Sequence, residues 1–89
     1  MKNKKLTIGI SLRVVENTDY NEKRDALSQD WSQFFERLGI NPLLIPNTIK
    51  DISSFLEDMQ VQGLFLSGGD NIGDNQDRDI TEQKIIDYC

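Results

Sequence analysis

The chain has 89 residues, of which 37% are hydrophobic and 28% are charged, so its length and composition predict one small globular domain or a part of one. Ten Lys and Arg against fifteen Asp and Glu leave a formal charge of −5, which argues against a general nucleic-acid binder because such a surface repels phosphate backbones. No apolar run approaches the roughly 20 residues that span a bilayer, and the amino terminus has no secretory pattern. We expect a cytoplasmic protein that binds neither nucleic acid nor a membrane.

The absence of histidine restricts the chemistry that this sequence alone can perform. Histidine is the commonest general base near neutral pH, the usual zinc ligand and the base in Ser-His-Asp and Cys-His arrangements. The single cysteine, Cys89, cannot form an internal disulfide, as is typical of a reducing compartment. It follows the apolar pair Ile85 and Ile86, which predicts a small buried hydrophobic side chain rather than a nucleophile.

The first part of the chain predicts a strand, a loop and a helix. A nearly continuous apolar run over residues 6–12 indicates a strand covered on both faces. Residues 13–23 are polar without periodicity, and they predict a long loop at the carboxyl end of that strand. An amphipathic helix follows, with Gly39 as its C-cap, because five apolar side chains recur at helical spacing. They are Leu27, Trp31, Phe34, Phe35 and Leu38.

The rest of the chain continues the alternation of strands and helices. Residues 42–46 predict a second strand with a proline at each end, and residues 61–67 predict a third. Between them a second apolar stripe predicts a helix, and a third helix follows the last strand. The helix-start signals are Thr48 with Asp51 and Asp79 with Glu82.

Three strand–helix units predict an α/β fold in which a parallel sheet carries helices on both faces. The simplest strand order is 2-1-3, a flavodoxin-like three-layer α/β/α arrangement. In that order the outer edge of the third strand has no neighbour and the last helix has no strand to return to. We therefore expect residues 1–89 to form the amino-terminal portion of one larger α/β domain.

Ligand sites of open parallel sheets lie beyond the carboxyl ends of the strands, where strand order reverses. Two loops are expected to meet there, one from residues 11–13 and one from residues 67–73. In the second loop, Gly68 and Gly69 can adopt positive φ and present N–H groups to an anion or a developing oxyanion. The alternative is a tight turn after the strand. The glycine spacing matches neither the dinucleotide-binding pattern nor the phosphate loop.

Charged residues flank the same predicted crevice. Arg13 and Arg78 could hold a substrate carboxylate through paired N–H donors, whereas the alternative for Arg78 is a structural ion pair with Asp70 or Glu82. The acidic residues of the second loop lack the glycine spacing of a calcium-binding loop, so we expect them to be solvated rather than to bind a metal. They are Asp70, Asp74, Asp77 and Asp79.

Five segments distributed over nearly the whole chain carry a family resemblance. They are residues 8–13 (IGISLR), 24–31 (RDALSQDW), 38–46 (LGINPLLIP), 63–70 (GLFLSGGD) and 78–82 (RDITE). In order and spacing these segments resemble the amino-terminal half of the class I glutamine amidotransferase-like enzymes, with the γ-glutamyl hydrolase-like branch as the nearest group.

The resemblance implies a hydrolase or amidotransferase that cleaves γ-glutamyl amide bonds of a glutamine-like small molecule through a thioester on cysteine, without metal or organic cofactor. In that family the nucleophilic cysteine lies in a later G-x-C-x-G segment, and a histidine and a glutamate follow it. None of these positions is present here, so we expect the 89 residues alone to be inactive. The resemblance maps an oxyanion-hole N–H onto Gly69, with Gly68 beside it.

Further expectations from the resemblance concern the charged residues and the partners. Arg78, Asp79 and Glu82 match a recurrent Arg-Asp-x-x-Glu stretch, which is expected to hold the glycine loop and the following helix in place, with substrate contact as the alternative. Arg13, Asp70 and Arg78 are the candidate substrate contacts. The identity of the acyl acceptor, the use of a partner synthetase and the formation of a homo-oligomer all stay open. Two other functions also stay open: a non-catalytic binding module whose glycine loop receives an anionic small molecule or a protein, and an interaction protein that pairs through its third-strand edge.

Overall fold

The computed structural model describes residues 5–17, 19, 21–67 and 76–89. Three strands form a parallel sheet in the order β4-β1-β5, which confirms the predicted α/β class and the predicted order 2-1-3. In the described part of the chain, no strand pairs with the outer edge of β5. The elements are β1 (Thr7–Ser11), β2 (Arg13–Asn17), β3 (Glu22–Ala26), α1 (Gln29–Leu38), β4 (Asn41–Ile45), α2 (Ile52–Asp58), β5 (Gly63–Phe65) and α3 (Gln76–Tyr88).

An antiparallel hairpin of β2 and β3 stands where the sequence predicts a loop over residues 13–23, so that prediction is wrong. Val14 and Val15 are β-branched and favour a strand. Asn21 adopts a φ of 50° in the turn, a left-handed conformation that asparagine tolerates well. The side chains of β3 are mostly exposed and charged, so the strand lacks the apolar alternation by which a strand is normally recognised.

Helix α1 packs one face of the sheet through aromatic side chains. Phe35 is fully buried, and its ring stacks on that of Phe65 with centroids 5.6 Å apart. Gly39 ends the helix with a φ of 71°, which confirms it as the C-cap. However, Phe34 and Leu38 are 42% and 54% exposed, so the described residues cover only part of the predicted apolar stripe.

Helices α2 and α3 cover the opposite face of the sheet. Successive residues of a strand point to opposite faces, so Leu64 faces away from the side on which Phe65 meets α1. Leu64 packs against a buried cluster built from β4, α2 and α3, namely Ile45, Ile52, Leu56 and Ile85. A Cβ on Gly9, in the central strand, would lie 2.8 Å from Leu64 Cδ2 and 3.0 Å from Ile45 Cδ1. Glycine at this position therefore lets the neighbouring side chains close over β1.

The helix starts agree only in part with the sequence signals. The Asp51 carboxylate accepts the Ser54 N–H at 3.0 Å, so the N-cap of α2 is Asp51 itself and not Thr48, with which the sequence signal paired it three residues earlier. Helix α3 already begins at Gln76, so Asp79 lies inside its first turn and the predicted capping pair of Asp79 and Glu82 is wrong. The Glu82 side chain instead bonds to strand β1.

None of the helices in the described ranges is both long and apolar enough to cross a membrane.

Candidate functional site

The carboxyl ends of β1 and β5, which are neighbours in the sheet, are joined by a hydrogen bond between two serines. Strand β1 ends at Ser11, which is fully buried, and β5 ends two residues before Ser67. The Ser67 backbone N–H donates to Ser11 Oγ at 2.9 Å. This bond ties the residue directly before Gly68 to the central strand. Gly68, Gly69 and Asp70 themselves lie outside the described residues.

Arg78 reaches the same serine from α3. Its Nη2 donates to Ser67 Oγ at 3.0 Å, and its Nε donates to Glu82 Oε2 at 3.2 Å, one helical turn further along. The Arg78 side chain is only 3% exposed, whereas that of Glu82 is 23% exposed. A guanidinium so far removed from water needs a charged partner. The ion pair between Arg78 and Glu82 is thus present, and substrate contact by Arg78 stays a prediction.

A fourth hydrogen bond closes these contacts into a ring. Ser11 Oγ donates to Glu82 Oε2 at 2.8 Å, the same oxygen that accepts from Arg78. A serine hydroxyl has one proton and an ionised carboxylate only accepts, so the Ser11 proton points to Glu82 and a lone pair faces the Ser67 N–H. We call these four residues, Ser11, Ser67, Arg78 and Glu82, the Ser67 circuit. It fixes both the backbone N–H and the hydroxyl oxygen of Ser67.

A groove opens beside the Ser67 circuit, between the end of β5 and α3. Its volume is about 250 Å³, and its lining combines apolar and polar side chains: Leu66, Asp79, Glu82, Gln83 and Ile86. Leu66 and Ile86 are 44% and 54% exposed. Because Glu82 belongs to both the circuit and the groove, its side chain lies between the buried hydrogen-bonded ring and solvent.

The remaining sequence candidates lie in different surroundings. Arg13 is the first residue of β2 and is exposed, in contrast to the buried Arg78. A substrate contact by Arg13 stays a prediction.

Cys89 is exposed, so the expectation of a buried cysteine is wrong, because α3 ends at Tyr88. A separation of 11 residues places Cys89 about 16 Å along the helix from Arg78.

A second polar cluster fastens the hairpin to the same edge of the sheet. The Asp25 carboxylate accepts two bonds from Asn47, one from its backbone N–H at 3.0 Å and one from Nδ2 at 2.9 Å. Asn47 Nδ2 also donates to the Leu12 carbonyl at 3.1 Å, and Thr81 Oγ1 donates to the Asn47 carbonyl at 2.9 Å. This cluster holds β3 and α3 at the carboxyl end of β4. Asn47 Oδ1 is buried without a hydrogen-bond partner in the described structure.

Sequence reasoning identified Arg78 and Glu82 but not the serines that complete the circuit. The available signal was the position of Ser11 and Ser67 at the ends of two predicted neighbouring strands. Both hydroxyls are committed to the ring contacts, and Ser11 is fully buried, so the arrangement is suited to holding backbone in place rather than to nucleophilic attack. Across the described ranges, no group of three or more His, Cys, Asp or Glu residues could hold a metal ion.

Comparison with known proteins gives one informative relative. The gamma-glutamyl-CDP-amidate hydrolase of Campylobacter jejuni subsp. jejuni serotype O:2 is 29% identical to this chain over 89 residues. The match covers 92% of this chain and 44% of the relative, so the chain spans less than half of the relative's length. No family model matches the chain, and no solved structure matches it significantly. The similarity supports a relationship to glutamine amidotransferase-like hydrolases.

Proposed function

We propose that this chain is the amino-terminal, oxyanion-loop part of a cysteine-dependent γ-glutamyl hydrolase or glutamine amidotransferase of the class I type. The observation that carries this proposal is the Ser67 circuit, which fastens the residue before Gly68 at the carboxyl edge of the sheet. This edge is where open parallel sheets bind ligands. The similarity to a hydrolase of a γ-glutamyl compound, over nearly all of this chain, supports the same class of chemistry.

In this proposal the glycine pair stabilises the transition state. The Gly69 N–H, with Gly68 beside it, donates to the carbonyl oxygen that becomes negatively charged when sulfur attacks. The absence of side chains leaves room for that oxygen. One such fixed donor contributes on the order of 3 kcal/mol. A donor works only if it is held in position before the reaction, and the two bonds to Ser67 supply such support one residue before the pair.

The nucleophile and its base would come from polypeptide outside this sequence. A cysteine thiolate attacks the γ-carbonyl carbon, the amine leaves with a proton from a histidine, and water or an amine then cleaves the thioester. This sequence contains no histidine, and Cys89 lies beyond the end of α3. No step requires a metal or an organic cofactor. The part of the enzyme described here binds, orients and stabilises charge.

The substrate of the proposed enzyme is a glutamine-like or γ-glutamyl small molecule with a free α-carboxylate. Arg13 is exposed and available as a donor to that carboxylate, and Asp70 is a candidate partner for the α-ammonium group. Arg78 is better suited to a positioning role because its guanidinium is buried against Glu82 and Ser67. Binding by Arg13 and support by Arg78 are separate functions that substitution can distinguish.

The test uses the natural polypeptide that contains these residues. It is incubated with γ-glutamyl amides, and glutamate release is followed before and after alkylation of its thiols. The proposal predicts hydrolysis that alkylation abolishes. Hydrolysis that survives alkylation would refute the cysteine mechanism, and an absence of hydrolysis or amide transfer would refute the assignment.

A pair of glycine variants tests the role of the loop in the same assay. Gly69→Ala should lower kcat by about tenfold or more with a smaller effect on KM, since the lost interaction belongs to the transition state. Gly39→Ala is the control because it places the same methyl group at the end of α1, where nothing lies within 4 Å of the added Cβ and where the left-handed φ of 71° lowers stability without touching the glycine pair. Equal effects of the two substitutions on kcat would contradict the assigned role.

A further inference from the structure

We propose that Ser11 is a positioning residue for this reaction, whose hydroxyl fixes the Ser67 peptide directly before the glycine pair. This inference rests on the proposed function. Ser11 is fully buried at the end of the central strand, and its Oγ lies 2.9 Å from the Ser67 nitrogen and 2.8 Å from Glu82 Oε2. Ser11 is the point at which the central strand, the end of β5 and α3 meet.

The direction of the Ser11 hydroxyl is determined by its neighbours. Glu82 Oε2 accepts from both Arg78 Nε and Ser11 Oγ, so the ion pair orients the carboxylate that takes the Ser11 proton. This leaves the acceptor side of the hydroxyl for the Ser67 N–H. The Ser67 N–H is therefore held along one direction, which fixes the plane of the Leu66–Ser67 peptide at the end of β5.

Removal of this hydroxyl would act selectively on the Ser67 peptide. The backbone of Ser11 pairs with β4 opposite Ile45, and this pairing does not depend on the side chain. In a Ser11→Ala variant, Arg78 would still bond to Glu82 and to Ser67 Oγ. The Ser67 N–H would lose its acceptor at a partly buried site, which favours a change in backbone direction there.

A purely structural role for Ser11 makes a different prediction. Loss of one buried hydrogen bond would then lower stability in the same way as at any similar site. Thr81 offers the comparison, since it is 1% exposed and its hydroxyl is shared between the Asn47 and Asp77 carbonyl oxygens and makes no bond to Ser67. Thr81→Val removes that hydroxyl at nearly constant volume.

The experiment compares Ser11→Ala, Ser11→Thr and Thr81→Val in the natural polypeptide that contains these residues. We measure kcat and KM for γ-glutamyl amide hydrolysis and the exchange rate of the Ser67 amide proton. Ser11→Ala should lower kcat about tenfold to a hundredfold at nearly constant KM and should accelerate exchange at Ser67 by about tenfold or more. Ser11→Thr, which keeps a hydroxyl, should restore most of both values. Thr81→Val should change neither.

Several outcomes would overturn the inference. A Ser11→Ala variant with wild-type kcat and a protected Ser67 amide would do so, as would an equal loss of kcat in Thr81→Val. If Ser11→Ala does not fold, Ser11→Cys takes its place, because a thiol is similar in shape but a weak hydrogen-bonding group. A wild-type polypeptide with neither hydrolase nor amide-transfer activity would refute the proposed function, whereas the exchange rates would still decide whether Ser11 fixes the Ser67 peptide.

Discussion

Replacement of Arg78 by methionine should destabilise the protein by about 2–3 kcal/mol. Arg78→Met removes a charge-assisted bond to Glu82, worth about 1.5–3 kcal/mol, and a bond to the Ser67 hydroxyl, worth about 1 kcal/mol. Methionine retains much of the apolar contact of the arginine stem. Glu82 is 23% exposed, so it recovers part of its hydration, and we expect less than the 3–5 kcal/mol typical of a fully buried pair.

The assay is urea unfolding of the single variants and of the double variant with Glu82→Gln. The cycle should give a coupling free energy of about 1–2 kcal/mol between the two positions, because they share a charge-assisted bond. Arg37→Met is the matched control, since Arg37 is exposed in the last turn of α1 and should change stability by less than about 0.5 kcal/mol. If Arg78→Met were no more destabilising than the control, the ion pair would not support the fold as argued.

Three further predictions concern the core, a helix end and one tyrosine. Phe35→Ala should cost about 3–5 kcal/mol in urea unfolding because Phe35 is fully buried, and a loss below about 1 kcal/mol would contradict its packing between α1 and the sheet. Gly39→Ala should cost about 1 kcal/mol because Gly39 is left-handed, and Gly39→Asn should cost less; equal stability of all three proteins would disprove the strain. The hydrogen bond from Tyr88 Oη to Glu57 Oε2 at 2.5 Å, followed by desolvation, raises the pKa of Tyr88 above 10.0. This bond therefore stabilises the protein below the unfolded pKa, and its contribution is lost as pH rises through the folded pKa. Ultraviolet titration of the Tyr20→Phe variant isolates Tyr88, and ionisation at or below pH 10 would contradict the contact.

The sequence predicted those elements in which burial against a neighbouring layer makes apolar residues recur in a recognisable pattern. The three parallel strands are apolar because helices cover the sheet on both faces, and α1 shows a clear stripe with glycine at its end. The hairpin escaped detection because β3 is exposed and charged, so neither face needs apolar residues. Its attachment to the sheet depends on the Asp25 bonds to Asn47, which join residues far apart in sequence.

In the candidate site, too, the contacts that the sequence did not predict join residues that are far apart along the chain. The interval between Asp79 and Glu82 fits a capping pair, yet Glu82 also lies one turn after Arg78, and the contacts to Arg78 and β1 prevail. The bonds between Ser11 and Ser67, and between Ser11 and Glu82, require β1 to lie beside β5 and α3 to cross that edge. Sequence spacing could not supply either condition.

The proposed function requires that the Gly69 N–H faces an open crevice at the carboxyl edge of the sheet. The most direct measurement is a crystal structure of the natural polypeptide with a γ-glutamyl group bound as a thioester or as a stable mimic of one. The account predicts that the Gly69 N–H lies about 3 Å from the γ-carbonyl oxygen, with Ser67 held by Ser11 and Arg78. A Gly69 N–H bonded within the protein, or covered by a side chain while the carbonyl oxygen binds elsewhere, would contradict it.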